Sequence, residues 1–191
     1  TETRIGEGAS SVGAAAVGLA KHIFNDIKSR SILLIGAGEI GRLVARNLAN
    51  NLVPTKDGMA SEIIVCNRSY DKARELASEF DGCAVPYENL FECMSRADLV
   101  VSCTASPDYI ITREQLTSIM ETREYKPMFF IDLAVPRDIE PESSQLEHVH
   151  LYNIDDLQSI VNESLNERKL EAEKAERIIE KAIDNFIKWL N

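Results

Sequence analysis

The sequence predicts a doubly wound α/β domain, built on a mostly parallel sheet and followed by a long C-terminal α-helix. Three observations carry that expectation. Short apolar runs alternate with stretches of helical spacing along residues 31–153. A Gly-x-Gly-x-x-Gly turn stands between the first run and the helix after it. Residues 155–190 then keep a helical rhythm without one proline or glycine. At 191 residues and 45% hydrophobic content, the chain can bury one α/β core plus an appendage, and is short for two full domains.

Taken in order, residues 1–10 are polar, carry Gly6 and Gly8, and read as a linker. From Ala9 to Arg30 an apolar rhythm at Val12, Ala16, Ala20, Ile23, Phe24 and Ile27 gives a first helix, with Ser10 or Ser11 placed to cap it. The domain itself spans residues 11–153. Its apolar runs are SILLIG (31–36), EIIVCN (62–67), CAV (83–85), DLVVSC (98–103), MFFIDL (128–133) and HVHLYN (148–153). Several are near-continuous in Val, Ile, Leu and Phe, as parallel strands covered on both faces are. Strand and helix in repeated alternation argue a doubly wound sheet.

Residues 154–191 form the third region. Asp155 and Asp156 suit the first turn of a helix, where carboxylates meet the positive end of its dipole. Glu173 with Arg177, and Asp184 with Lys188, are favourable pairs four apart. Such a helix would be on the order of 50 Å long, more than the domain needs. Its apolar face therefore wants a further partner, and it reads as a connector or dimerising helix.

Composition excludes several classes. A formal charge of −10 makes the chain a poor binder of nucleic acid or anionic membrane on its own. Cys66, Cys83, Cys93 and Cys103 include no Cys-x-x-Cys, so neither a zinc knuckle nor a compact disulfide scaffold is expected, and no metal site is assigned. No apolar stretch approaches ~18 residues, so no membrane span is expected and the cytoplasm is the default. The chain opens on Thr1 and reads as a piece of something larger.

The chemistry concentrates at Gly36-Ala37-Gly38-Glu39-Ile40-Gly41, between the strand run 31–35 and the helix carrying Leu43, Val44 and Leu48. In a Rossmann-type site the first glycine allows the tight turn, and the second lets backbone approach a pyrophosphate. The third permits close helix–strand packing. The helix N-terminus offers unpaired N–H groups to the phosphates. An NAD site usually places Asp or Glu at the next strand tip, for the ribose 2′-hydroxyl. Here that tip is Asn67-Arg68-Ser69, with Lys72 one turn later. No carboxylate sits there, and Arg68 is a cation placed for a 2′-phosphate, so NADPH is the expected cofactor. The alternative is that Arg68 merely pairs with Asp71. Thr104, Ala105 and Ser106 follow the fourth strand and Asp132 ends the fifth. These tips are where the ribose and nicotinamide should run, with the Thr104 and Ser106 hydroxyls as donors.

These residues resemble a known family. The runs 1–5, 35–41, 66–69, 104–107, 131–141 and 151–157 are similar to those of glutamyl-tRNA reductase. The stretches IDLAVPRDIEP and LYNIDDL are more specific than the glycine turn. The resemblance implies reduction of glutamyl-tRNA to glutamate-1-semialdehyde, on the five-carbon route to tetrapyrroles and heme. It implies a cysteine nucleophile in a separate N-terminal domain, joined here through residues 1–10, and a thioester reduced by NADPH. It also implies a homodimer formed through the C-terminal helix, and glutamyl-tRNA as a partner of the full-length enzyme alone. Nothing in this chain matches the nucleophile motif, so no catalytic residue is assigned to it.

Two other readings stand beside that one. A small stand-alone NADP oxidoreductase resembling shikimate dehydrogenase would share the Asn-Arg-Ser/Thr strand tip, although no lysine–aspartate acid/base pair suggests itself. A cofactor-sensing module that dimerises through residues 155–190 would need no chemistry. Cys66 and Cys103 lie in apolar runs and read as small buried hydrophobes. His148 and His150 read as the exposed face of the last strand, with a metal pair as the alternative.

Overall fold

The computed structural model describes residues 5–24, 27, 30–50, 63–157 and 159, with the backbone alone for residues 5–11. The chain divides into two units, residues 1–157 and 158–191. The long helix expected beyond Asp155 lies almost wholly outside the described residues.

All the anticipated strands form. They are β1 (Ile32–Ile35), β2 (Ile63–Cys66), β3 (Cys83–Val85), β4 (Leu99–Ser102), β5 (Met128–Asp132) and β6 (Val149–Asn153). They make one 6-stranded sheet in the order β3-β2-β1-β4-β5-β6. Every pairing is parallel, with Ile35 beside both Cys66 and Ser102, and Ser102 beside Asp132. The chain order reverses between β1 and β4, which makes their carboxyl ends the switch point where ligands of such sheets lie.

Helices α1 (Ile5–Phe24), α2 (Glu39–Ala49), α3 (Tyr70–Ser78), α4 (Leu90–Arg96) and α5 (Arg113–Thr122) connect and cover the strands. Helix α1 starts before the expected Ala9 and stops short of Arg30; it packs against α2. The apolar rhythm continued through Ile27, but the backbone leaves the helix before it. Helix α5 opens on a full capping box, with Thr112 accepting from the Gln115 N–H and Gln115 reaching back.

One face of the sheet, through Leu33, Ile35, Val100 and Phe130, packs with Leu90 and Met94 of α4 and Leu116, Ile119 and Met120 of α5. Ile32 and Leu34 point to the opposite face and are equally buried, as strands covered on both sides require. Truncating the fully buried Phe130 to alanine would cost about 3–5 kcal/mol. After β6 the chain turns helical at residues 154–157. Asn153 Oδ1 accepts from the Asp155 and Asp156 N–H groups, and Asp156 Oδ2 accepts from the Asn153 N–H. Asn153 is thus the cap, and the two aspartates occupy the first turn as their charge favours.

Candidate functional site at the carboxyl ends of the strands

The turn after β1 is built from contacts that tolerate only glycine. Gly36 has φ +109°, and a Cβ there would meet the Cys103 carbonyl oxygen at 2.7 Å. A Cβ on Gly41 would lie 2.2 Å from the Gly36 carbonyl oxygen, so this residue sets how closely α2 approaches the turn. Gly38 is different: nothing lies within 4 Å of its missing Cβ. It is the N-cap of α2 and supplies no side-chain acceptor, so the first N–H groups of the helix receive no cap from it. Asn67, at the tip of β2, ties the two strand ends together. Its Oδ1 accepts from the Ala37 N–H at 3.3 Å and its Nδ2 donates to the Ser69 carbonyl at 3.0 Å.

Two adjoining hollows open here. The larger, about 680 Å³, is lined by Gly36, Ala37, Gly38, Glu39, Ile40, Asn67, Arg68, Ser69, Lys72, Cys103, Thr104 and Ala105. The smaller, about 330 Å³, shares Asn67, Arg68, Lys72, Thr104 and Ala105 and adds Ile35, Tyr87, Ser106 and Ile110. Both volumes are in the range of small-molecule sites. Arg68 and Lys72 are exposed and make no ion pair among the described residues; Asp71 bonds Arg74 instead, at 3.4 Å. Burial pushes the Tyr87 phenol above its usual range, while the nearby Arg68 charge pulls the other way.

The tips of β4 and β5 are closed where the β2 tip is open. Thr104 donates its hydroxyl hydrogen to Asp138 Oδ1 at 2.5 Å and accepts from the Ser106 N–H at 3.1 Å. That hydrogen, expected for a ligand, is already committed. The Ser106 hydroxyl, 8% exposed as a residue, has no such engagement among the described residues and lines the smaller hollow. Asp132, at 2% exposure, accepts from the Ala134 and Ile139 N–H groups at 3.1 and 3.0 Å. Burial raises its pKa, against those two bonds. It borders a separate small hollow with Arg137, Pro141, Ser144, Leu151 and Asn153.

Residues 18–160 match the family described as shikimate / quinate 5-dehydrogenase. The chain belongs to that family. Across its whole length it is 44% identical to glutamyl-tRNA reductase of Thermodesulfovibrio yellowstonii, of which the match takes in 43%. The glutamyl-tRNA reductase structure from Methanopyrus kandleri is 38% identical at a TM-score of 0.74, over 94% of this chain and 44% of that one. The nucleotide binding domain of glutamyl-tRNA reductase from Thermoplasma volcanium, at 17% identity and a TM-score of 0.61, shares the fold over 83% of this chain and 96% of that one. The resemblance expected from the motifs therefore holds along the entire chain. The chain spans less than half the length of the curated relatives it matches.

For this member of the shikimate / quinate 5-dehydrogenase family, the structure has a Rossmann-type dinucleotide-binding fold. It brings the expected residues from Gly36 to Ile40, Asn67 to Ser69, Lys72, and Thr104 to Ser106 around the two hollows. Gly41 supports them from beneath, and Asp132 is not among them. Sequence reasoning missed Tyr87, Ile110 and Asp138. Tyr87 follows the end of β3, so the strand-tip rule that found Arg68 would have reached it. Ile110 carries no local signal, and Asp138 stands in the stretch IDLAVPRDIEP without anything there to name its partners.

Cys66 and Cys103 are free thiols pushed up to about 12, by burial first in both cases. Cys103 lies against the Ile35 and Gly36 carbonyls at 3.3 and 3.6 Å. A thiol held that high stays protonated at neutral pH, the form that attacks least. His150 stacks on Phe129 at 4.6 Å, and His148 adopts φ +63° just before β6. Among the described residues, no helix is long and apolar enough to cross a membrane.

Proposed function

We propose that this chain is the NADPH-binding part of a glutamyl-tRNA reductase, an oxidoreductase that reduces glutamyl-tRNA to glutamate-1-semialdehyde. The observation that carries the cofactor is the pair of exposed cations, Arg68 and Lys72, left without ion-pair partners among the described residues on the rim of the glycine-turn hollow. The donor set fits the group. Gly36, Ala37, Gly38, Glu39, Ile40 and Gly41 shape a backbone cradle for the pyrophosphate, open where a Cβ on Gly38 would intrude. Asn67, Arg68, Ser69 and Lys72 take the 2′-phosphate end. Thr104, Ala105 and Ser106 guide the ribose and nicotinamide, and Asp132 is left out of the cradle.

When bound, the cofactor supplies hydride to an acyl carbon. This chain's residues bind and orient it. The acyl-accepting cysteine lies outside the chain in this reading: burial pushes the Cys66 and Cys103 thiols up to about 12, and Cys83 and Cys93 line neither hollow. Residues 154–191 serve the homodimer of the full-length enzyme, and the free thiols suit a reducing, cytoplasmic setting.

The family description favours one rival, oxidation of a hydroxy acid such as shikimate. The protein that carries this chain should consume NADPH with glutamyl-tRNA and leave shikimate untouched with NADP. Turnover of shikimate, with none of glutamyl-tRNA, would overturn the proposal.

A further inference from the structure

Asp138 is fully buried, yet among the described residues it is neither an ion-pair partner nor a lining residue of either hollow. It sits in the turn after β5 and spends its carboxylate on the tip of the neighbouring strand. Oδ2 accepts from the Ser102 hydroxyl at 2.5 Å and from the Thr104 N–H at 2.9 Å. Oδ1 accepts from the Thr104 hydroxyl at 2.5 Å. Its carbonyl accepts from the Ile110 and Ile111 N–H groups at 2.7 and 3.1 Å. One residue therefore holds both ends of the loop 103–111. Thr104, Ala105, Ser106 and Ile110 of that loop line the smaller hollow.

The chemistry of the carboxylate matters at this place. All three contacts to its side chain are donors aimed at its two oxygens, and both oxygens accept. Because the Thr104 hydrogen goes to Oδ1, its oxygen lone pairs remain for the Ser106 N–H, which fixes the next turn of the loop. An asparagine has the same shape but would present an amide donor to one of these donors. Either Thr104 turns over and drops that chain of bonds, or a buried donor is left unpaired.

We infer that Asp138 is a positioning residue: acting through Thr104, it sets the β4-tip loop and with it the shape of the dinucleotide cradle, without touching the ligand. This rests on the dinucleotide-binding reading proposed above. Its effect should be on affinity for any dinucleotide, because it holds the loop and leaves Arg68 and Lys72 alone.

The test compares Asp138→Asn, Thr104→Val, Thr104→Ser, Ser102→Ala and the Asp138→Asn/Thr104→Val pair by calorimetric titration with NADPH and NADH. Asp138→Asn should weaken both cofactors by about tenfold, the scale of a lost hydrogen bond to a charged group, with their ratio unchanged. Thr104→Val should weaken binding similarly, Thr104→Ser should keep it, and the double variant should be no worse than either single one. A folded Asp138→Asn protein with wild-type affinity would overturn the inference. So would additive losses in the pair, or a changed NADPH to NADH ratio. Where Asp138→Asn does not fold, the buried Ser102→Ala, which removes one of the three bonds away from the ligand, should weaken both cofactors in step; wild-type affinity there counts against the inference. If the wild-type chain binds neither cofactor, the dinucleotide reading fails instead. The positioning role is then judged by amide exchange, which Asp138→Asn should speed at Thr104, Ser106 and Ile110 but not in β1; unchanged exchange overturns it.

Discussion

The two sides of the sheet's carboxyl edge use their polar groups in opposite ways. On the β1–β2 side, α2 begins on a residue without a capping side chain, and Arg68 and Lys72 extend from the rim with no ion pair among the described residues. On the β4–β5 side, Asp132 and Asp138 are buried and every bond they make is internal. The first side leaves its charge exposed at the rim. The second consumes its own so that a loop keeps one shape. Hydrogen-bonding groups left unmatched are costly unless solvent or a ligand completes them. On the dinucleotide-binding reading proposed above, that asymmetry, more than the presence of glycines, marks the half of the edge that would meet the phosphates.

Substitutions can break or sharpen the contrast. The largest effect should come from Gly41→Ala, which sits beneath both sides. Its Cβ would fall 2.2 Å from the Gly36 carbonyl, so chemical unfolding should show a loss of about 1–3 kcal/mol together with lost NADPH binding. A stable, binding-competent Gly41→Ala protein would mean that α2 moves more freely than this packing allows. Asp132→Ala belongs wholly to the closed side. It leaves the Ala134 and Ile139 N–H groups unpaired and should cost about 1–2 kcal/mol, while the NADPH to NADH ratio stays put.

Gly38→Ala should do the reverse. With open space around the new Cβ, unfolding should change by no more than about 1 kcal/mol. NADPH affinity should nonetheless fall by about tenfold or more, because the methyl occupies the approach of the pyrophosphate. The mildest effect concerns Cys103. Its thiol remains protonated in the folded chain up to about 12, against an ordinary 9.0. The folded state thus holds the proton longer, so stability falls as the pH climbs through that window and has no slope from this group below it. Cys103→Ala should flatten part of that alkaline decline in pH-dependent unfolding.

The strands, their helices and the open side of the edge were legible in the sequence because they rest on local signals. Continuous Val, Ile and Leu runs announce strands buried on two faces, and a glycine turn between strand and helix announces itself. Arg68 was legible because its place is counted from a strand end. The closed side was not. Asp138 lies 36 residues from Ser102 and 34 from Thr104, and nothing near it in sequence separates a buried carboxylate from an exposed one. For the same reason Thr104 looked like a ligand donor, when its hydrogen was already spent on a partner from another loop. Asp132 looked ligand-facing because it ends a strand, yet the bend after it folds its own backbone donors onto the carboxylate.

The central claim, that the open side is built for a 2′-phosphate, is tested most directly by titrating the chain and its Arg68→Ala variant with NADPH and NADH. The account predicts selective NADPH binding, a drop of about tenfold in NADPH affinity in the variant, and NADH affinity that hardly moves. Equal affinity for the two cofactors in the wild-type chain, or a preference that survives the loss of Arg68, would contradict it.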